Sequence, residues 1–331
     1  MFKGKRKMKL EDRIYGQVEI VNPVIESLIK SPEMQRLKDI SQFGVPDEFY
    51  WIRGVASFYR YEHSIGVMNL LTHCKAKEEE QIAGLLHDIS HTAFSHVYDW
   101  VIENPEKEEY QDSIHQRFFE NSEVSRILKS HGLDTTRISN LGNYKLLERG
   151  IPDLCADRID YCLREPFTTL EMARCFIKNL RVYNGKIVFG DKESAEKFGR
   201  HFLKCQVEHW GSAEATVRYH FFSELLKMSL KKRIIRPADF LGTETPIMEK
   251  IKSSRNLEVK KYVDMLSGKI NYVLDNNCPD LDLRKKFRYV DPEYFGERGI
   301  ERLSSKDTDY KNLIEIERKA NEKGNKIRLL N

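Results

Sequence analysis

Apolar residues recur at intervals of three and four along most of the first 235 positions, the spacing that buries one face of a helix. One such segment follows Asn22-Pro23 and another follows Ser31-Pro32, and proline behind a capping side chain is typical of a helix start. Further helical patterns begin near His63 and span one or two long segments over 192–232. Mostly α-helical structure is therefore predicted.

One short stretch carries the pattern of β-structure. In LRVYNGKIVF, residues 180–189, two apolar runs flank Asn184-Gly185, the pair that favours a type I′ hairpin turn. A further helix is predicted from Ile151-Pro152 onward, and another near 246–267 in a more polar region. The predicted organisation is a solvated basic arm (1–12), one mostly α domain (13–235) and a polar, helical C-terminal extension packed on it (236–331).

Composition narrows the class of protein. With 40% apolar and 32% charged residues the chain is expected to be globular, and a net charge of +4 does not indicate nucleic-acid binding by bulk charge. No apolar run reaches the roughly 18 residues of a membrane span, and none follows the basic N-terminus as in a signal peptide. A cytoplasmic protein without membrane contact is predicted, with its six cysteines reduced.

The densest chemistry lies in residues 78–100, EEEQIAGLLHDISHTAFSHVYDW. Metal sites that cleave phosphate esters use imidazole nitrogen and carboxylate oxygen around divalent ions. The adjacent pair His87-Asp88, at a predicted helix end, can supply one of each, and His91, His96 and Asp99 follow closely. This segment is therefore predicted to provide half of a metal site.

The remaining ligands must come from other helices. His63 stands where an apolar helix begins, and Asp157 lies within an otherwise apolar helix, so these two are the best candidates. Each taken alone is a weak signal, because a histidine at a helix start is more often a cap or a satisfied surface residue.

Several separated motifs occur in an order that resembles a known family. They are SPEMQRL (31–37), SQFG (41–44), RYEHSIGV (60–67), AGLLHDISHTAFSH (83–96) and DRIDY (157–161). Together they resemble the HD-domain metal-dependent phosphohydrolases, and most of all the branch that removes triphosphate from deoxynucleoside triphosphates. Separated motifs in the right order are far more specific than a bare HD dipeptide.

The resemblance implies a fold, a cofactor and a site. The fold is an HD-domain helical bundle, assembled as a homo-oligomer. One divalent transition metal ion (iron, manganese, nickel or zinc) would be bound, magnesium is expected to accompany the nucleotide, and a metal-bound water would attack phosphorus. The implied metal ligands are His63, His87, Asp88 and Asp157; the implied catalytic residues are His91, His96, Asp99 and His115; the implied substrate-binding residues are Gln42, Arg60, Arg158 and Tyr161.

The resemblance also implies roles for the outer residues of the site. Asp99 is expected to pair with His115, and His96 to position the attacking water or contact the α-phosphate. The alternative for His91 and His96 is that they only orient the metal ligands.

Two arginines of the site are expected to bind phosphate, and one of them has an alternative role. Arg60 and Arg158 would neutralise phosphate oxygens, although Arg158 is also placed to form a plain ion pair with Asp153 or Glu165. His209 is a further candidate for substrate contact, by loose similarity to an aromatic and histidine-bearing helix of the family.

Four positions depart from the family pattern. Ser90 replaces a glycine and Ala93 a proline, so the turn between the histidines is expected to be more helical. Phe43 replaces a leucine and Glu165 a shorter acid, and both changes fall where the family recognises the sugar.

The leading hypothesis is therefore a metal-dependent phosphohydrolase acting on nucleotides, similar to a deoxynucleoside triphosphate triphosphohydrolase. A phosphomonoesterase or phosphodiesterase on the same scaffold is the alternative. A module that binds nucleotides or nucleic acid through the basic cluster 231–236 is a third hypothesis, against which the complete set of metal ligands argues.

Overall fold

The computed structural model describes residues 8–50, 57–103 and 107–330. Helices dominate these ranges, as the hydrophobic pattern predicts, and none of them is both long and apolar enough to cross a bilayer. The helices are α1 (Pro23–Ile29), α2 (Pro32–Arg36), α3 (Arg60–His73), α4 (Glu78–Leu86), α5 (Val97–Val101), α6 (Tyr110–Glu120), α7 (Glu123–Ser130), α8 (Thr135–Ser139), α9 (Ala156–Arg164), α10 (Leu170–Asn179), α11 (Lys192–Cys205), α12 (Ala213–Lys231), α13 (Glu244–Ser253), α14 (Leu257–Ser267), α15 (Leu303–Lys306) and α16 (Thr308–Lys323).

Capping side chains and prolines in the local sequence determine where several helices begin. The Asn22 side chain accepts a hydrogen bond from the Val24 amide at 2.8 Å, and proline follows at the first helical position of α1. The helix predicted from Ile151 begins later, at Ala156, because residues 151–155 form turns and irregular backbone. The helix expected near 246–267 is two helices, α13 and α14.

The described strands form three small sheets. The predicted hairpin is present as β3 and β4, and Asn184 (φ 48°) and Gly185 (φ 70°) both have the left-handed backbone of its turn. The strands are β1 (Met8–Asp12), β2 (Gly16–Ile20), β3 (Leu180–Tyr183), β4 (Lys186–Phe189), β5 (Tyr272–Leu274), β6 (Leu281–Leu283), β7 (Glu293–Gly296), β8 (Gly299–Arg302) and β9 (Asn325–Leu329). Their order is β1-β2, β3-β4-β7-β8 and β5-β9-β6.

Two sheets correct the predicted organisation. Residues 8–12 form strand β1 paired with β2, so they are not a solvated arm, and residues 1–7 of that arm lie outside the described ranges. The C-terminal extension, predicted to be helical, also contains β5 to β9. These strands are only three to five residues long; β5 and β6 pair with β9, which is distant in the chain, whereas β7 and β8 form a local hairpin.

A close helix contact brings the candidate ligands together. Helix α3 packs on α4 and α9, so His63 on α3 and Asp157 on α9 approach each other. A Cβ added to Gly66 of α3 would lie 2.0 Å from Arg164 Nη2 and 2.2 Å from Asp160 Oδ1. A glycine at this position therefore permits the approach of the two helices.

The turn before α5 is not helical, contrary to the expectation from Ser90 and Ala93. Phe94 (φ 66°) and Ser95 (φ 47°) both adopt left-handed backbone. The buried Glu244 carboxyl group stabilises this turn, because its Oε1 accepts hydrogen bonds from the amides of Ser41 (2.8 Å) and Phe94 (3.1 Å). The ring of Phe94 is buried in an apolar cluster between α5, α12 and the C-terminal extension.

Protonation of Glu244 should make stability depend on pH. Burial raises the pKa of this carboxyl from its ordinary 4.5 to about 8, so the folded protein holds a proton that the unfolded chain releases. The free energy of unfolding should fall as pH rises between those values. Glu244→Gln removes the titration and keeps a neutral acceptor. We expect its melting temperature to exceed that of the wild type by a few degrees at pH 9 but not at pH 5.

Thermal melts at the two pH values test this expectation. Glu249→Gln, at an exposed position of the same helix, is the matched control and should leave the pH dependence unchanged. An unchanged pH dependence in Glu244→Gln would contradict the prediction.

Candidate metal centre and its cavity

His63 lies in the first turn of α3 and is fully buried. Its Nδ1 lies 2.8 Å from Asp160 Oδ2, and since a carboxylate only accepts, Nδ1 donates there. In the neutral ring, Nε2 then carries a bare lone pair, yet it faces Asp157 Oδ1 at 2.9 Å. Two acceptors at this distance need a cation between them, either a proton or a metal ion.

His87 follows α4 directly and presents the same arrangement. Its Nδ1 donates to the Gly84 carbonyl at 2.7 Å, so the lone pair of Nε2 points at His63 Nε2 (3.3 Å) and Asp157 Oδ1 (3.5 Å). Burial lowers the pKa of His87, but Asp88 and Asp157 raise it more, to about 9. Without a metal ion the site therefore takes up a proton.

Asp88 completes the group from the next position in the chain. Its Oδ1 lies 3.4 Å from His87 Nε2 and its Oδ2 lies 4.0 Å from His63 Nε2. Burial raises the pKa of this carboxyl, but the Arg60 guanidinium, whose Nη1 donates to Oδ2 at 2.6 Å, and the neighbouring histidines lower it well below its ordinary value. Asp88 is therefore a carboxylate, the form that binds metal.

The geometry of these four side chains fits a divalent ion. Bonds of about 2.1 Å put neighbouring ligands of an octahedral ion about 3 Å apart, and several of the N···O and N···N distances here are 2.9–3.5 Å. Ligand atoms of His63, His87 and Asp88 all lie within 4.8 Å of one another. Two imidazoles and two carboxylates suit a borderline transition metal and leave coordination positions for water and substrate.

Two further buried histidines line the cavity beside this centre. His91 Nε2 lies 3.4 Å from Asp88 Oδ1, and burial, followed by the Arg60 charge, lowers the pKa of His91 well below its ordinary value. Burial lowers the pKa of His115 to about 4, with a smaller effect of His87. Both rings are therefore neutral at pH 7.

The expected pairing of Asp99 with His115 is wrong. Asp99 Oδ2 lies 3.4 Å from His96 Nδ1, and its Oδ1 accepts from the Tyr110 amide at 3.0 Å. His115 Nδ1 instead lies 2.8 Å from the hydroxyl of Ser90, the residue that replaces the family glycine. A serine supplies a hydrogen-bonding partner that a glycine lacks, and this partner makes the pairing with Asp99 unnecessary.

The four predicted substrate-binding residues line one cavity of about 740 Å³ beside the metal centre. Gln42 Oε1 and Arg60 Nη2 are buried there without a hydrogen-bond partner among the described residues. Arg158 is already engaged: its Nη2 donates to Glu148 Oε1 at 3.1 Å and its Nη1 donates to the backbone carbonyl of Asp153 at 3.0 Å. Its ion pair is therefore with Glu148 and not with the carboxylate of Asp153 or Glu165. Tyr161 lines the same cavity, and the centroid of its ring lies 5.2 Å from that of Trp210.

Both oxygens of Glu165 are occupied. Glu165 Oε2 lies 2.7 Å from His209 Nδ1, and Oε1 accepts from Trp210 Nε1 at 2.7 Å. His209 also contacts Phe43 edge to face, with ring centroids 4.5 Å apart. The positions at which the chain departs from the family's sugar-recognition pattern therefore contact one another through His209.

Some residues that build the centre were missed from the sequence. Asp160 orients His63, and its spacing of three from Asp157 on one helix face is a signal that could have identified it. Arg36 donates to the carbonyls of Ile89 and His91, each at 2.7 Å, and so supports the loop after Asp88. Nothing in the local sequence distinguishes a half-buried arginine of this kind from a surface one.

Comparisons with known proteins agree with this geometry. The model of the HD domain family matches residues 60–165. The uncharacterized protein YdhJ of Bacillus subtilis is 38% identical over 87% of this chain and 89% of its own length. The metal-dependent phosphohydrolase cns2 of Cordyceps militaris is 31% identical over 61% of each chain. A phosphohydrolase structure from Bacteroides thetaiotaomicron has the same fold at 16% identity (TM-score 0.69, 93% of this chain and 97% of that chain).

A helical fold that gathers imidazoles and carboxylates around one point, in a cavity with further histidines and arginines, is that of a metal-dependent phosphohydrolase. This chain belongs to the HD-domain family of these hydrolases.

Proposed function

We propose that this hydrolase acts on nucleotides, with deoxynucleoside triphosphates as its first candidate substrates. The observation that carries the proposal is the convergence of the ligand atoms of His63, His87, Asp88 and Asp157 beside one large polar cavity. Its volume of about 740 Å³ accommodates a whole nucleotide. The motifs that resemble the triphosphohydrolase branch support the same substrate class.

The side chains around the metal centre have different roles in the proposed hydrolysis. His63, His87, Asp88 and Asp157 would hold a divalent ion, which would supply Lewis-acid polarisation and a lowered pKa of water. Arg60 keeps Nη2 free while Nη1 is bound to Asp88, so it can donate to a phosphoryl oxygen beside the metal ligands. The Asp99 carboxylate lies 3.4 Å from His96 Nδ1 and orients the ring at the cavity wall, so we assign His96 as proton donor to the leaving oxygen.

The neutral histidines have complementary tasks. His115 Nε2 is buried at the cavity without a partner among the described residues. We assign it to hold the attacking water or a phosphate oxygen. His91, neutral and 3.4 Å from Asp88, orients that carboxylate.

One observation favours a second candidate, a phosphomonoesterase that takes a nucleoside monophosphate. Glu165 is bound to His209 and Trp210, and Arg158 is bound to Glu148, so two groups implied in contacts to sugar and phosphates are already satisfied. A substrate with one phosphate would require fewer of these contacts to be broken.

Product analysis distinguishes the two candidates. Protein reconstituted with manganese is incubated with dNTPs, NTPs and nucleoside monophosphates, and released triphosphate is separated from orthophosphate. We expect metal-dependent release of triphosphate from dNTPs, abolished by chelation. Orthophosphate from monophosphates alone would establish the second candidate, and no release from any nucleotide would overturn nucleotide hydrolysis.

A further inference from the structure

The C-terminal extension contributes cationic side chains to the cavity. Lys285, Lys286 and Arg288 lie between β6 and β7 and line the same cavity as His91 and His96. None of them belongs to the HD motifs, and they follow Asp157 by more than a hundred residues in the chain. The extension is therefore part of the cavity wall.

Lys285 is buried without an acid bound to it. The residue is 6% exposed, and its Nζ makes no hydrogen bond to any residue in the described ranges. Its nearest partner is the ring of Tyr219, with Nζ 3.3 Å from the centroid. Burial lowers the pKa of this amine to about 7, although Glu108 opposes the shift. An ammonium in such a place lacks most of the hydrogen bonds it would make in water.

The neighbouring charges are already compensated. Arg288 donates to Glu108, and Arg218 donates to Glu214 with both Nε (2.8 Å) and Nη2 (3.1 Å). In the part of the chain that the structure describes, neither Lys285 nor Lys286 has a carboxylate at bonding distance, so protonation of Lys285 gives this part of the wall an uncompensated positive charge. A bound anion would neutralise it.

Two further polar groups of the same wall are incompletely satisfied. Arg218 Nη1 and the Tyr50 hydroxyl are buried and their side chains interact with each other, but neither atom makes a well-formed hydrogen bond to a described residue, and both side chains line the cavity. The Arg218 guanidinium lies 3.7 Å from the centroid of the Tyr50 ring. Unsatisfied buried donors next to a cavity indicate a polar ligand rather than an apolar one.

We propose that Lys285, Arg218 and Tyr50 form an anion subsite that binds a second phosphate group of the substrate, apart from the phosphate at the metal centre. The proposal rests on the proposed hydrolysis of nucleotides and specifies the substrate as one with two separated phosphate groups. Glu108 interacts electrostatically with both His96 and Lys285, so it lies close to the catalytic histidines and to the subsite. Its unpaired Oε1 can accept from a hydroxyl of the ligand.

The second phosphate can lie on the same polyphosphate chain or across the sugar, and kinetics with three substrates distinguish these sources. Lys285→Met keeps the length of the side chain and removes its charge. We expect the KM of a nucleoside 5′-triphosphate or of a 3′,5′-bisphosphate to rise about tenfold or more, with kcat within twofold. The KM of the 5′-monophosphate should change less than twofold. The substrate that responds identifies the position of the second phosphate.

Two variants make the comparison specific. Lys285→Arg restores a cation and should recover most of the lost affinity, whereas Lys319→Met, at an exposed position of α16, should change nothing. An equal rise of KM for all three substrates, or no rise for any, would overturn the subsite.

A binding measurement separates this proposal from the hydrolytic one. Equilibrium dialysis of a labelled nucleoside triphosphate against the full chain in EDTA requires no turnover. Weaker binding of the triphosphate by Lys285→Met, or of a labelled 3′,5′-bisphosphate dialysed in the same way, supports the subsite even if no nucleotide is hydrolysed. Equal binding of both ligands by both proteins overturns it. Should Lys285→Met fail to fold, acetylation of Lys285 in the wild type gives the answer, because the bound triphosphate or bisphosphate should protect the amine; absence of protection by both counts against the subsite.

Discussion

His87→Ala and Asp88→Asn should each abolish bound metal and lower kcat by about a thousandfold or more. Each variant removes a ligand from a group whose other members cannot move closer, because the Asp160 carboxylate and the Gly84 carbonyl hold the rings of His63 and His87. Asparagine at 88 retains an oxygen for Arg60, so the buried guanidinium is not left without a partner. Mass spectrometry of the purified variants measures the loss of bound metal, and steady-state kinetics measure the loss of kcat.

The control for these variants is His131→Ala, since His131 is exposed and lies outside the cavity. It should keep the metal stoichiometry and turnover of the wild type. Full turnover by His87→Ala or Asp88→Asn, with a normal circular dichroism spectrum, would refute the assignment of the centre.

Asp160→Asn should weaken metal binding by about ten- to a hundredfold. The Asp160 carboxylate accepts from His63 Nδ1 and fixes the tautomer in which Nε2 offers its lone pair. Burial raises the pKa of this carboxyl, but Arg164 and His63 lower it below its ordinary value, so it is charged. A neutral amide is a poorer acceptor and no longer stabilises the imidazole. Metal titration of the apoprotein with a competing chelator gives the affinity.

Asp12→Asn is the matched control for Asp160→Asn. Asp12 Oδ2 accepts from Arg164 Nη2 at 2.7 Å, as Asp160 accepts from Arg164 Nε at 2.7 Å, but Asp12 does not contact His63. Both variants should lower the melting temperature, because both disturb the buried ion pairs of Arg164. Only Asp160→Asn should lower metal affinity. Equal metal affinities in the two variants would show that Asp160 is purely structural.

Local rules account for much of the secondary structure. The hairpin at Asn184-Gly185 and the start of α1 behind Asn22 follow from turn and capping chemistry that acts within a few residues. Strands β5, β6 and β9 of the C-terminal extension could not be predicted in the same way, because their pairing depends on residues distant in the chain, whereas β7 and β8 form a local hairpin. The order of the motifs was sufficient to indicate the family.

The contacts of individual side chains were harder to predict from the sequence than the secondary structure. His63, His87, Asp88 and Asp157 do lie together, whereas Asp99 contacts His96 in place of His115. Spacing along a helix shows which side chains share a face, but it does not show which of several acids a histidine reaches. That choice depends on the left-handed turn before α5, which packing around Glu244 stabilises.

The sequence by itself determined the family, the helical class and the candidate ligands, because those depend on residue types at fixed spacing. Tertiary structure alone decided that Lys285 lines the cavity beside the metal centre with no carboxylate at bonding distance in the described ranges, and that Glu165 is bound to His209. It also decided that Asp160 fixes the tautomer of His63. Each of these contacts joins segments that are distant in the chain, and only packing of the helices and of the C-terminal extension brings them within hydrogen-bonding distance or onto one cavity wall.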